Sequence, residues 1–418
     1  MSKIKIKNFG PIKKGCQNDD GWIEIKKVTL FIGNQGSGKS TVAKLVSTFT
    51  WIEKALVRED FDGKWLGQKN RLRKTFLTYH RLENYVVKDI AGNEITEIDY
   101  IGDAYQISYK NCVLHIDKIP ESRYSLPQII YVPAERNFIA YVKSPKELRL
   151  SSDSLKDYVT EFDKARNAMK GSMLLPVNDV SIDYDKLNDV VNLRGEDGHK
   201  VFLTEASSGF QSLVPLYLVS WFLSNSVQKG NEVTRESMSS EEEERFRKLF
   251  RDILTNSSYT DEQRRLALSE LPSRFNKSAF INIVEEAEQN LYPVSQWKML
   301  ESLLAFNNTN PGNKLIMTSH SPFLVNYLSI SIQGKELLDK VKQKNKIDLF
   351  KDRINNIVPI DSLVDASDVI VYQFDEKKGK LTQLENINGI PSDRNLLNMM
   401  LREGNLLFDS LLEIEEEL

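Results

Sequence analysis

The sequence predicts an α/β fold built around a phosphate-binding loop, and three observations carry that expectation. An apolar, β-rich run from Val28 to Ile32 ends in a glycine-rich loop and passes straight into STVAKLVSTFTWIEKAL, whose apolar residues recur at helical spacing. Two further apolar strands, FINIV from Phe280 and KLIMTS from Lys314, each deliver polar groups at their ends. Open α/β sheets place ligand groups at the carboxyl edge of such strands.

The elements follow in order. Residues 3–8 alternate charged and apolar side chains, as a half-buried strand does, and Gly10-Pro11 is a turn signal. WIEIKKVTLFIG reads as a strand pair, with the glycine loop and helix behind it. Residues 64–81 are strongly basic, and residues 93–116 hold short strands with a hairpin near Asp103. QIIYVPAERN is a buried strand, and residues 144–171 are polar and helical. A strand pair turns at residues 196–199. SSGFQ and the apolar helix SLVPLYLVSWFLSN come next, then a charged helical segment over 228–276. After the two apolar strands come a last strand, VIVYQF, and an amphipathic helix ending in acids.

Composition bounds the class. The chain has 418 residues, 40% hydrophobic and 28% charged, which suits a globular protein with a substantial core. A formal net charge of −3 gives no global basic field of the kind that marks a nucleic-acid binder. Two distant cysteines, Cys16 and Cys112, are too few for a disulfide framework or a zinc cluster and fit a reducing compartment. The start, MSKIKIKNFG, lacks the apolar run of a signal peptide and no stretch approaches the length of a membrane helix, so a cytoplasmic location with no membrane partner is expected.

Gly33 to Ser40 fit G-x-x-x-x-G-K-[ST], and Thr41 follows. Glycines let backbone N–H groups close around phosphate oxygens, and the helix N-terminus adds its positive dipole. Lys39 is placed to reach β- and γ-phosphates, and the Ser40 hydroxyl to hold Mg²⁺. At the end of the FINIV strand two carboxylates stand together. Phosphoryl transfer to water asks for such a pair, with Glu285 holding the metal and Glu286 orienting or deprotonating the water. The KLIMTS strand ends in Ser319-His320-Ser321-Pro322, and His320 at that edge can hydrogen-bond the γ-phosphate and the water. His80, His115 and His199 lack such a context and read as structural. Ser207-Ser208-Gly209-Phe210-Gln211 opens a helix and makes a second phosphate-binding surface. One site has no need of two such surfaces, but a dimer does.

The order GNQGSGKST, SSGFQ, INIVEEAEQNLYP, TSHSPF resembles the ABC ATPase head of the SMC, RecF, RecN and OLD group and spans residues 33–323. SSGFQ is similar to the signature LSGGQ, with Phe210 in place of the second glycine, and EEAEQNLYP to the EEPExHLHP run of the bacterial soluble branch. The resemblance implies an ABC ATPase head, a P-loop NTPase with an antiparallel β lobe and a helical lobe. It implies ATP and Mg²⁺ as ligands, bound by Asn34, Gly36, Ser37, Gly38, Lys39, Ser40 and Thr41, with Ser40 and Glu285 on the metal. Ser208 and Gly209 would contact the partner's γ-phosphate, Glu286 would be the catalytic base, and His320 the switch. One departure stands out: IIYVPAERN puts Ala134 where such heads carry a metal- and water-holding Gln. Glu135 or Arg136 as substitutes, and a buried ion pair between charges, are both open readings.

Five segments are expected: an N-terminal ATPase lobe over 1–140, a helical signature lobe over 141–227, a charged helical insert over 228–277, a C-terminal ATPase lobe over 278–375 and a helical extension over 376–418. Residues 141–175 are too short for a coiled-coil arm and lack sustained heptads. The acidic run Glu241 to Glu244 reads as a solvated face, with a docking surface as the alternative. The expected function is slow ATP hydrolysis whose dimerisation, as a homodimer or higher even oligomer, controls a separate effector. The motif set resembles ATPase subunits of bacterial anti-phage systems, so a nuclease is the effector expected, and nucleic acid is left open as a further partner. The alternative is a DNA-repair ATPase that clamps DNA directly, with Lys69, Arg71, Arg73, Lys74 and Arg81 as its basic surface. A transporter subunit is disfavoured by the inserts and by Ala134.

Overall fold

The structure, a computed structural model, describes residues 2–120, 124–141, 150, 152–228, 238, 240–256 and 258–416. Parts of the predicted helical segment at 144–171 and of the charged insert therefore lie outside the described residues.

The chain opens with β1 (Ser2–Phe9), β2 (Ile12–Cys16), β3 (Trp22–Ile25) and β4 (Val28–Gly33). Helix α1 (Lys39–Val57) leaves the glycine loop, and a short α2 (Gly63–Leu66) follows. β5 (Glu97–Ile101), β6 (Tyr105–Lys110), β7 (Val113–Lys118) and β8 (Pro127–Val132) lead to the short α3 (Phe138–Tyr141) and to α4 (Asp153–Ala168). A small antiparallel sheet comprises β9 (Met173–Leu174), β10 (Ser181–Asp185), β11 (Val190–Arg194) and β12 (Lys200–Phe202). Then come α5 (Ser208–Gln228), α6 (Ser240–Thr255), α7 (Asp261–Glu270), β13 (Ala279–Val284), α8 (Pro293–Asn308), β14 (Lys314–Ser319), α9 (Pro322–Gln343) and α10 (Ile347–Asn355). β15 (Val369–Asp375), β16 (Lys380–Gln383) and the C-terminal α11 (Leu396–Glu416) complete the elements used below.

The main sheet runs β7-β6-β5-β1-β2-β16-β15-β4-β14-β13-β8, with β3 also paired to β1. Its five strands β15, β4, β14, β13 and β8 are mutually parallel, while β1, β3, β5, β6 and β7 pair antiparallel. The fold is thus α/β, with a parallel core around the P-loop helix and an antiparallel lobe, as expected from the sequence.

The parallel strands are apolar almost throughout because both sheet faces are covered. Period-two alternation sorts their side chains. Val28, Leu30, Ile32, Phe280, Val284, Leu315 and Met317 join one core with α4, α5, α8 and α9. Phe31, Ile281, Ile283, Ile316, Ile370 and Tyr372 face the other way, against α1 and the antiparallel lobe. The basic stretch at 64–81 is broken into short turns. It is the short α2, a π-type turn over Leu72–Phe76 and a 3-10 turn over Leu77–His80. Within it the Arg71 guanidinium lies 4.0 Å from the Trp65 ring centroid, and Arg73 Nε donates to the Glu83 carbonyl. His80 is buried against Tyr131, and burial beside Lys44 pushes its pKa down to about 3, so it is a neutral core side chain.

Candidate nucleotide site

All the parallel strands end on one edge, and the predicted site residues gather there. β4 ends at Gly33, whose φ of +149° opens the loop, and Gly38 closes it at φ +106°. A Cβ on Gly38 would stand 2.6 Å from Ile12 Cδ1, so β2 packs hard against the loop and only glycine fits. Gly36 has φ +74° and open space beside it. Asn34, Gln35 and Gly36 are exposed, whereas Ser37, Gly38, Lys39 and Thr41 are buried and Ser40 is half-buried. Among the described hydrogen bonds none takes up the backbone N–H of Gly36, Gly38, Lys39, Ser40 or Thr41, and the buried Ser37 Oγ has no partner. A helix N-terminus with free donors and an orphaned hydroxyl is the donor set that a polyphosphate satisfies.

Lys39 Nζ donates to the carbonyls of Gly33 (3.0 Å) and Asn34 (2.8 Å) and lies 3.5 Å from His320 Nδ1. On the far side of the ring, His320 Nε2 lies 3.6 Å from Glu286 Oε1. The imidazole therefore stands between the P-loop lysine and the second carboxylate of the β13 end. Burial pushes the Lys39 pKa down to about 8, against the pull of Glu286, Glu288 and Glu376. The His320 imidazole beside it holds the Glu286 carboxyl below its usual range. Glu286 has a left-handed backbone at φ +45°, unusual for a residue with a side chain, and its N–H is fixed by Thr318 Oγ1 at 3.0 Å. That turn lets consecutive residues aim apart. Glu285 points back under the sheet edge, where its Oε2 accepts from Ala134 N (3.1 Å) and its Oε1 lies 3.6 Å from Lys44 Nζ. A carboxylate so placed, with the Ser40 hydroxyl on α1, offers the hard oxygen donors that Mg²⁺ takes alongside phosphate oxygens.

Arg136 resolves one of the open readings. It is fully buried, and its donors go to backbone carbonyls: Glu285 (2.7 Å), Glu286 (2.7 Å), Ser212 (3.3 Å) and Pro133 (3.4 Å). Neither the metal-holding substitute nor a buried ion pair describes it. The guanidinium clamps the β13 turn to the first turns of α5, and Glu135 beside it is exposed. Burial lowers the pKa of this guanidinium, and the nearby Tyr158, Glu288, Glu286 and Glu285 oppose that shift.

Three other residues at this edge escape motif reading. Glu288 Oε1 accepts from His320 N (2.5 Å) and so sets the height of the histidine, and burial raises its carboxyl pKa. Glu376, just past β15, accepts from Asn34 Nδ2 (3.1 Å) at the lip of the P-loop. Thr318 fixes the Glu286 turn. Only Glu288, as a third acid close behind Glu285-Glu286, left a trace in the sequence.

Ser208 and Gly209 form the first turn of α5. Ser208 is exposed, and a Cβ on Gly209 would stand 2.9 Å from the Asn290 carbonyl. Among the described hydrogen bonds none joins the two to the P-loop of their own chain. Instead α5 packs on α4, α8 and β13.

No family model and no curated protein matches the chain. Among solved structures it is similar to the SMC head domain from Thermotoga maritima, at 12% identity over 78% of this chain and 90% of that one, with a TM-score of 0.29. It is also similar to an SMC head bound to the C-terminal winged-helix domain of ScpA, at 9% identity over 91% and 96% of the two chains, with a TM-score of 0.33. A nucleotide-free ATP-binding cassette from an ABC transporter matches at 12% identity over 93% and 94%, with a TM-score of 0.25. At scores this small the chain's own residues must say what it does. Among the described residues no helix is long and apolar enough to cross a membrane.

Proposed function

We propose that the chain is an ABC-type ATPase head that binds ATP through Asn34, Gly36, Ser37, Gly38, Lys39, Ser40 and Thr41 and hydrolyses it slowly. The observation that carries this reading is the row Lys39–His320–Glu286 at the carboxyl edge, with contacts of 3.5 and 3.6 Å. Lys39 neutralises the β- and γ-phosphates. With Lys39 donating toward Nδ1, His320 keeps a proton on Nε2 for the γ-phosphate or the water, and Glu286, held ionised, is the group that accepts the water's proton. Bound Mg²⁺, held by Ser40 and Glu285, would supply charge neutralisation across the phosphates.

The second half of the proposal is a nucleotide-sandwiched pair of chains. The exposed Ser208 and the half-buried Gly209 stand at a helix N-terminus with no described hydrogen bond to their own P-loop. A partner's γ-phosphate is the anion that such a surface fits. In this reading 1–140 and 278–375 are the nucleotide lobes, 141–227 carries the signature, and 228–277 and 376–418 are additions. ATP-driven pairing would control a separate effector, a nuclease of a bacterial anti-phage system, as the motif resemblance suggests. Direct clamping of DNA is the weaker reading, since Arg71 and Arg73 of the basic stretch are engaged within their own lobe.

The test is Glu286→Gln in sedimentation velocity with and without ATP and Mg²⁺. Binding should survive while water activation fails, so ATP should drive a faster-sedimenting, ATP-loaded species, and hydrolysis should fall at least about a hundredfold. A boundary that ATP leaves unchanged, with ATP demonstrably bound, would refute the sandwich.

A further inference from the structure

The C-terminal helix α11 stands apart from everything described so far. It leaves the body beside β15, where Leu396 N donates to Gln373 Oε1, and only Leu397 is buried against the core. From Met399 to Glu416 every residue is exposed. That exposure includes Met400 at 49%, Leu407 at 65%, Phe408 at 62%, Leu411 at 64% and Ile414 at 58%. A 21-residue helix is roughly 31 Å long, and an apolar stripe of that length is far larger than a monomer leaves in water.

The stripe has a heptad register. Leu397, Gly404 and Leu411 recur every seven residues, Met400, Leu407 and Ile414 do the same, and Leu401 and Phe408 flank them. Arg402, Asp409 and Glu416 lie on the opposite face. We infer that α11 pairs antiparallel with α11 of a second copy of this chain.

Charge and shape both select that occupant and that direction. The acids Glu413, Glu415 and Glu416 crowd the C-terminal end, whereas at the N-terminal end Arg394 and Arg402 balance Asp393 and Glu403. A parallel pair would stack the acids on one another. An antiparallel pair sets Met400 against Leu411 and Gly404 against Leu407, and it brings Arg394, just before the helix, toward the acidic end of the second copy with Glu415. It also sets Leu401 against Phe408. Gly404 is unfavourable in the middle of a helix, and a Cβ there would meet nothing within its own chain. Opposite a leucine and beside the bulky Phe408 of a second copy, it becomes the hole that admits them. A two-fold pairing of one surface with itself closes as a dimer. A lipid surface fits poorly, because interfacial helices carry lysine and arginine on their polar face and this one carries acids.

The contact needs no nucleotide, which separates it from the sandwich proposed above. The experiment is sedimentation equilibrium of the full chain without ATP. The wild type should run at the mass of two 48.0 kDa chains, and Leu407→Glu/Leu411→Glu at the mass of one. Both positions are exposed, so folding should be unaffected, and ATP should still drive the Glu286→Gln species in that background. Arg394→Glu and Glu415→Arg should each weaken self-association roughly five-fold, the scale of two exposed ion pairs per dimer, and the combined variant should recover. Four results would overturn the inference: a wild type at single-chain mass, a dimer that survives the two glutamates, a charge swap without recovery, or a single chain that co-sediments with phosphatidylcholine vesicles.

Discussion

Replacing Arg136 by methionine keeps an unbranched apolar stem in the pocket and removes the guanidinium with its donors. Two of its hydrogen bonds, to the carbonyls of Glu285 and Glu286, are 2.7 Å long and charge-assisted. Bonds of that kind are worth about 1.5–3 kcal/mol each, and the longer ones to Ser212 and Pro133 add less. Against this stands the relief of no longer burying a full charge, whose burial lowers the guanidinium's pKa. The net expected loss is about 2–4 kcal/mol, read as a lower urea midpoint at unchanged slope. The second readout is catalytic. The two carbonyls belong to the residues that place the metal carboxylate and the general base, and a 1 Å drift of such groups costs about a hundredfold in rate. The variant should therefore bind ATP within a few-fold of the wild type while its turnover collapses. Arg136→Lys should recover part of the stability, having one ammonium for two carbonyls, but little of the turnover. A methionine variant that melts like the wild type and turns over normally would refute the idea that the guanidinium holds the β13 turn in register with α5.

Two further outcomes are expected. Lys39, with its pKa pushed down to about 8 by burial, is protonated below that pH, and bound phosphate favours the protonated form. ATP affinity should therefore be flat below pH 8 and fall by up to about tenfold per pH unit above it; calorimetry that shows no weakening between pH 8 and 9 would contradict this. Glu242→Gln should cost about 3–5 kcal/mol, because Lys54 and Lys277 at 2.7 Å and Arg58 at 2.9 Å would face each other without their shared carboxylate. Hydrogen exchange should then quicken in α6 and at the C-terminal end of α1, and unchanged protection there would count against the role given to the carboxylate.

What could be read from the sequence was what is contiguous in it. The strand–loop–helix around Lys39, the acids closing β13 and the histidine closing β14 each announce themselves within ten residues, because strand, turn and ligand group are covalently adjacent. The clamp was not legible, since Arg136 acts on Glu285, Glu286 and Ser212, which come near it only when α5 and β13 pack together. PAER did hold a hint, a charge at the very end of a buried strand, without saying whether a carboxylate, a metal or a carbonyl would receive it. The acidic run misled for the opposite reason. Glu241 to Glu244 look like a solvated face, yet Glu242 is buried at 3% exposure among three cations. Burial alone would raise its carboxyl pKa; Lys54, Lys277 and Arg58 overcome that and hold it well below the usual range. A one-dimensional charge pattern cannot tell a socketed acid from a wet one when its partners are about 35 to 190 residues away.

That socket has a consequence for engineering the chain. Lys54 and Arg58 close the P-loop helix and Lys277 precedes β13, so the Glu242 carboxylate ties the segment between α5 and β13 to the end of α1, as Arg245 does through Asp60. A segment hung from a surface loop can be gained or trimmed by changing its own sequence alone. This one is harder to excise, because its removal takes Glu242 away from the buried Lys54 and leaves Arg58 with Asp60. A shortened variant would have to replace Lys54 in the same step, so the segment and the end of the P-loop helix must be redesigned together.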